Sequence, residues 1–448
     1  MLDPSAARDR AAALVDRARK AGADAADVAY IADAAESIQI RLGKLEDVER
    51  SESEYITLRA FVGQSSASVG SSDLGDAALD ALAARVVAMA RAAPEDVYAG
   101  LAPAELLATG ASPDLALADP DEPGPADLRS RAETAEAAAR AVDGVTNSEG
   151  AGASAGRAVF ALATSHGFVG AYETTSRSLS ASVIAGEGSG MQRDYAWRLA
   201  RYGADLPPPE EIGRMAGERA VQRLAPGRLA SGSLPVVFDP RVGGSLVGHL
   251  LGAMSGAAIA RGASFLLGRE NEVLFDSAVT IIDDPLQPRG LRSRPFDGEG
   301  LPTARRALVE QGRITGWLMN AAAARQLGGQ PTGHAARGGG GAPGISASNT
   351  HIAAGSITPA ALIADIADGV YVTELIGQGV NGVTGDYSRG ASGFRIVGGE
   401  IAGPVAEFTI AGNLIEMFRA MIPADDLEWH RTVNVPTLRI DGMMIAGD

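Results

Sequence analysis

Apolar positions along the first half of the chain switch between a helical spacing and strict alternation. Asp3-Pro4 opens a helix that runs to about Lys20, with Pro4 in its first turn and Gly22 just past its end. Residues 28–31, 37–41, 48–50 and 55–62 alternate with a period of two between short polar breaks and predict an antiparallel meander. The spacing turns helical again from Asp76 to Ala93, where Pro94 stops it. Residues 99–125, rich in Ala, Pro and Asp, carry no period and read as a connection. A helix from Ala126 to Val142 follows, then strands Ala158–Ser165 and Phe168–Ala185 joined at His166-Gly167. Pro207-Pro208-Pro209 and a helix from Glu210 to Leu224 close this half.

From Pro235-Val236-Val237-Phe238 onward the pattern changes to one glycine-spaced helix and then short strands at 279–282, 307–309, 370–373 and 394–397. The expected fold class is α+β: an N-terminal region of helices and antiparallel sheet, then a β-rich, barrel-like C-terminal domain. The expected division is 1–98, a connection over 99–125, a helix-and-hairpin region over 126–230, and the C-terminal domain over 231–448. No tandem repeat or coiled-coil heptad is present. The glycine-rich run 337–344 reads as a loop bordering a cleft.

Composition narrows the function classes. With 448 residues, 46% hydrophobic and 21% charged, the chain suits a soluble protein of two or three domains. Aromatic residues make up only 5% while Ala and Gly abound, so helices are expected to pack through small side chains at close approach. A formal net charge of −16 with scattered arginines argues against nucleic acid as a partner. The absence of cysteine excludes disulfides, thiolate metal sites and a cysteine nucleophile. No stretch of about 18 uncharged apolar residues predicts a membrane span. The charged N-terminus lacks the apolar run of a signal peptide, so a cytoplasmic location is expected.

The candidate chemistry centres on Ser245-Leu246-Val247-Gly248-His249-Leu250-Leu251-Gly252-Ala253-Met254. A helical zinc-protease site needs two metal-binding side chains and a carboxylate that takes a proton from metal-bound water. Here His249 is present, but Leu250 stands where the carboxylate would be and Met254 where the second ligand would be. Glutamate at 250 and histidine at 254 would restore those groups at helical spacing, and Gly252 and Ala253 point to close packing of the helix. His249 is therefore expected to be a buried histidine with a satisfied hydrogen bond. His166, His334, His351 and His430 show no metal-ligand spacing, although His334 could lie near the cleft.

Asp297, Glu299, Glu374 and Asp386 are candidate cleft carboxylates; Asp386 is better explained by bonding to its own turn, or by pairing with Arg389 or another arginine. Gly377-x-Gly379-x-x-Gly382 has the spacing of a dinucleotide fingerprint but runs into a turn instead of a helix. Gly152-x-Ser154-x-Gly156 has the spacing of a nucleophile elbow but reads as a loop leading into a strand. No catalytic, cofactor-binding or metal-ligating residue is assigned.

The His249 helix, Glu374–Gly379, Thr384–Phe394, Asp297–Thr303 with Arg305-Arg306, Thr332–Ala335 and Val405–Leu414 occur in an order that resembles the PmbA/TldE branch of the TldD/TldE metalloprotease family. The match is strongest from about residue 230 to the end; Asn147-Ser148-Glu149-Gly150 extends it into the first half. In the TldD branch the equivalent helix carries His-Glu-x-x-x-His and a later cysteine completes the zinc site. The resemblance implies a TldE-type subunit without its own zinc, paired with a TldD-like chain that supplies the metal and the base. It also implies unfolded peptide as substrate; capture of an extended peptide by strand addition would suit the β-rich second half. The older family description, modulator of DNA gyrase, is not read as DNA binding. The rival readings are a homodimeric peptide-binding scaffold and a self-sufficient hydrolase.

Overall fold

The structure, a computed structural model, describes residues 1–338 and 340–447; Gly339, inside the glycine-rich run, and Asp448 lie outside the described residues. The N-terminal half is helix α1 (Pro4–Lys20), strands β1 (Ala25–Arg41), β2 (Lys44–Val62) and β3 (Ser65–Ser71), helices α2 (Asp76–Ala92) and α3 (Pro125–Arg140), strands β4 (Val145–Thr164), β5 (Val169–Ala185) and β6 (Gln192–Ala200), and helix α4 (Pro209–Gln222). Asp3 caps α1 by accepting from the Ala6 N–H, and Gly22 follows its end at φ 98°. The strands form one antiparallel sheet in the order β3-β2-β1-β4-β5-β6, so the segments on either side of the 99–125 connection share a sheet.

The strands are longer than alternation predicts. β1 and β2 form one ribbon of 17 and 19 residues, turning at Leu42 (φ 52°) and Gly43 (φ 72°). Two successive positive φ angles are what a two-residue hairpin with the right strand twist requires. Residues 44–53 are exposed, so the outer half of β2 has no apolar face for a pattern to reveal. β6 escaped the sequence reading because it is an edge strand with few buried residues, Asp194 and Ala196 among them. Gly152–Gly156 lies inside β4 and not in a loop, and Ser154 Oγ lies 2.7 Å from Ser178 Oγ across the ladder.

One face of the sheet carries all four helices. Val28, Tyr30 and Ala32 of β1 pack under α1 and α2, while Ile38 and Ile40 on the same face pack under α3 and α4. The small-residue packing is realised between α3 and α4: a Cβ on Gly213 would sit 2.0 Å from the Ala135 carbonyl oxygen. The other face meets the C-terminal half. There Phe160, Phe168 and Tyr172 cluster around Phe296, with ring centroids 4.8–6.1 Å apart. Buried Asp27 accepts from Arg59 Nε at 2.9 Å and pairs with Arg337 at 2.8 Å, which ties the sheet to the start of the glycine-rich run.

The C-terminal half holds β7 (Gly232–Phe238), α5 (Pro240–Ala253), α6 (Gly256–Ala260), β8 (Ile281–Asp283), β9 (Arg306–Glu310), β10 (Arg313–Ile314), α7 (Ala321–Leu327), β11 (Ala335–Ala336), β12 (Gly344–Ile345), β13 (Thr350–Ile352), α8 (Pro359–Ile363), β14 (Asp368–Ile376), β15 (Asp386–Val397), β16 (Glu400–Asn413), α9 (Leu414–Arg419), β17 (Met421–Pro423), β18 (Val433–Asn434) and β19 (Leu438–Ala446). The order β16-β15-β14-β7-β19 closes on itself through β16–β19 pairing, so the expected barrel is present, with five strands. Closure removes the exposed edges that an open sheet would leave. Val236, Phe238, Val370, Val372, Ile410 and Ile440 belong to its core together with Leu246, Val247 and Leu250 of α5. A smaller sheet, β10-β9-β8-β13-β18, lies outside the barrel, and the β11–β12 pair flanks the glycine-rich run. Among the described residues no helix is long and apolar enough to cross a membrane.

Candidate functional site

Helix α5 starts after Asp239, whose carboxylate accepts from the Arg241 N–H, with Pro240 in the first turn. Leu250 and Met254 are fully buried in the barrel core, one turn apart on the same side. His249 points elsewhere. At about 100° per residue, positions 249 and 254 are about 140° apart around a regular helix, and Met254 is the C-cap residue at which α5 ends. The close packing expected around Gly252 is absent, since a Cβ there would meet nothing within 4 Å.

The expected hydrogen bond of His249 is missing too. Its Nε2 is buried without a partner, its ring lies edge-on to Tyr387 at 6.1 Å, and burial followed by the charge of Arg389 lowers its pKa. Tyr387, Arg389 and Ala391 alternate along β15 on its buried side. Burial pushes the Tyr387 phenol up to about 12; Arg389 lies beside it and opposes that rise, but no hydrogen bond of normal geometry joins them. The Nε of Arg389, the Oγ1 of Thr373 and the hydroxyl of Tyr387 are all buried without a hydrogen-bond partner.

Arg389 and Thr373 open onto a cleft of about 680 Å³ between the edge strand β6 and the barrel. Arg193, Arg223, Arg241, Arg389 and Arg431 line it, against the carboxylates Asp194 and Glu374. This is a cationic surface in a chain of net charge −16. Most of these arginines are committed. Arg241 pairs with Asp194 at 2.9 Å, and Arg223 bonds Asp194, Glu374 and the Ser392 hydroxyl. The Arg223 bond holds Glu374 below the usual carboxylate range against its burial. A larger cavity of about 900 Å³ beside Asp119 and Arg177 lacks such free groups. Arg177 donates to the carbonyls of Gly156, Ser176 and Asp121, and Asp119 accepts from the N–H groups of Gly203 and Asp121.

Residues 231–447 match the PmbA/TldA metallopeptidase C-terminal domain, residues 118–224 the central domain and residues 26–90 domain 1 of the same family. The chain belongs to the PmbA/TldD metallopeptidase family. It is 37% identical to Metalloprotease PmbA of Escherichia coli O157:H7, covering 95% of this chain and 92% of that protein. A PmbA homolog of Haemophilus influenzae is 35% identical, with 97% and 94% covered. Among solved structures, a Bacteroides thetaiotaomicron protein described as a modulator of DNA gyrase superposes with a TM-score of 0.90 at 26% identity, covering 98% of this chain and 99% of that one. TldE of Thermococcus kodakarensis shares the fold, with a TM-score of 0.84 at 21% identity, covering 97% and 99%.

In this PmbA/TldD chain the remaining candidates are built into the frame. His334 is buried between Thr332 Oγ1 at 2.7 Å and Asp283 at 3.3 Å, and Asp283 also accepts from Ser348 and Thr350. His351 stacks edge-on to Trp429 at 4.5 Å. His430 accepts from Arg431 Nε, and burial first, then Arg198 and Arg431, lower its pKa to about 4. His166 Nδ1 contacts the Ala102 carbonyl at 2.8 Å. Asp386 is exposed and bonds Thr384 and Asn413, with no arginine partner among the described residues. The loop at 377–385 joins β14 to β15, as its turn-like sequence predicts. Among the described residues, no three His, Cys, Asp or Glu side chains come together to hold a metal ion.

Asp297 and Glu299 lie in the interior and not along the cleft. Asp297 accepts from the N–H groups of Glu299, Leu301 and Ala335, and Glu299 accepts from the Ala321 N–H at the start of α7. Burial, then the neighbouring Asp297 charge, raises Glu299 from 4.5 to about 7. Its carboxyl thus holds a proton more tightly in the folded chain. The resulting stability is present below pH 4.5 and is lost as pH rises through 7. Glu299→Gln keeps an acceptor for Ala321. It is expected to stabilise the protein by up to about 3 kcal/mol at pH 8 and to change little near pH 4. Chemical denaturation at the two pH values checks this; an equal effect at both would contradict it.

Proposed function

We propose that this chain is the TldE-type subunit of a two-chain zinc peptidase, with the metal, its base and its ligands carried by a TldD-like partner. The reading rests on one observation above others: positions 250 and 254, which follow the family histidine, are apolar core residues. Leu250 cannot take a proton from a metal-bound water, and Met254 offers only a buried thioether. His249 alone is one donor, where a protein zinc site draws on at least three side chains.

The role left to such a subunit is to complete the chamber and hold substrate. The cleft suits that role, because β6, an edge strand that pairs with β5 among the described residues, bounds it; a peptide adding there would replace the side-chain bonds that Asp194, Arg219 and Arg198 make to the main chain of Tyr195 and Trp197. An extended, unfolded peptide can add to such an edge through main-chain hydrogen bonds without a demand on sequence. Purified alone, the chain is expected to contain no stoichiometric zinc and to hydrolyse no unstructured peptide. Elemental analysis with a peptidase assay tests this. Stoichiometric zinc that is lost in His249→Ala would overturn the reading and favour a self-sufficient hydrolase.

A further inference from the structure

We infer that the cleft between β6 and the barrel receives the carboxylate at the C-terminal end of a peptide, with Arg389 as its charge partner and the Thr373 hydroxyl as a second donor. The inference rests on the peptide-holding role and adds to it a chemical feature of the substrate.

Arg389 is the observation that carries it. Only 9% of this residue is exposed, yet among the described residues it forms no ion pair and its Nε has no hydrogen-bond partner. A buried charge without a counterion is costly, and a buried donor left unmade costs further. The other core-side positions of β15 show that an apolar residue is tolerated there, so the arginine is not needed to fill space. Thr373, 5% exposed, brings a second unpartnered polar atom to the same cleft. An anion entering the cleft satisfies both.

The neighbouring charges choose the kind of anion. Arg223 and Arg241 are held by Asp194 and Glu374, Arg193 reaches Glu149, and Arg431 bonds His430 and the Arg241 carbonyl, which leaves Arg389 as the uncommitted arginine of the five among the described residues. A single guanidinium matches one carboxylate in a planar, two-pronged contact. The cleft of about 680 Å³ accommodates a few residues of chain. Tyr195, Trp197 and Leu199 of β6 line its side, so an extended peptide lying against them has its end within the same cleft as Arg389.

The test uses the full-length chain and a fluorescent, unstructured peptide in three forms: free C-terminal acid, C-terminal amide, and an amide whose last residue is glutamate. Binding is read by anisotropy. The free acid is expected to bind about tenfold or more tighter than either amide, the span of a hydrogen bond to a charged group. Arg389→Met should reduce the free acid to the affinity of the amide while leaving the amide unchanged, which also reports an intact cleft. Thr373→Val keeps the charge and should reduce the preference by a smaller factor, which serves if Arg389→Met does not fold. Equal binding of acid and amide by the native chain, or a preference that survives Arg389→Met, overturns the inference. A glutamate-ended amide that binds as tightly as the free acid overturns it in favour of a side-chain carboxylate. Proteolysis on mixing with the partner is a separate readout, so the subunit assignment stands or falls independently of this one.

Discussion

Leu250→Glu combined with Met254→His is expected to unfold the C-terminal domain and not to build a zinc site. Both side chains are fully buried in the barrel core. Removing Leu250 forfeits about 2–3 kcal/mol of apolar burial. The new carboxylate must either stay ionised in an apolar interior or take up a proton with its pKa raised by several units, which costs several kcal/mol more at pH 7. The sum, about 5 kcal/mol or more, is comparable with the whole stability of many domains. A third ligand would still be missing, since the chain has no cysteine, and the hydrogen bonds that orient metal ligands would be absent. Denaturant unfolding and zinc titration of the double variant check this. Leu250→Gln, which lacks the charge, should lose less stability at neutral pH. A double variant that folds normally and binds zinc tightly would mean that α5 is not part of the core.

Much of this fold is legible in the sequence because local signals agree with the tertiary structure. Asp3-Pro4 and Gly22 bracket α1, Pro94 follows α2, and the run Pro235–Phe238 is a buried barrel strand. What alternation misses are strands without a simple two-faced environment. The outer part of β2 is wet on both sides, β6 is an edge, and β16 and β19 carry bulge-like register shifts or glycines that break the period. Barrel closure depends on the β16–β19 pairing, which no local pattern specifies.

The candidate site divides in the same way. That positions 250 and 254 carry leucine and methionine, neither a carboxylate nor a histidine, can be read from residue types alone. The cleft cannot, because its residues come from β6, Arg223 just after α4, α5, the loop at Leu291, β14, β15 and the segment near β18, and only folding brings them together. Arg389 offered one signal that the sequence reading used only as a partner for Asp386. Tyr387-x-Arg389-x-Ala391 places a charged residue in phase with two residues that face the core. A charge at an inward strand position marks either a buried ion pair or a ligand, and Asp386 faces the opposite way, into solvent.

The central claim is that this chain contributes to proteolysis without holding the catalytic metal, and mixing tests it most directly. The expected partner is a related TldD-like chain that carries His-Glu-x-x-x-His. Pairing of related subunits through equivalent surfaces closes an interface without leaving a free edge. Each chain is to be purified separately and assayed alone and together against an unstructured peptide, with light scattering to follow assembly and elemental analysis to locate the zinc. The account predicts no cleavage by this chain, a larger species on mixing, cleavage by the mixture far above that of either chain, and zinc only in the partner. His249→Ala in this chain should leave the zinc content of the mixture unchanged. A partner that cleaves equally well without this chain, or zinc that follows this chain through separation, would contradict it.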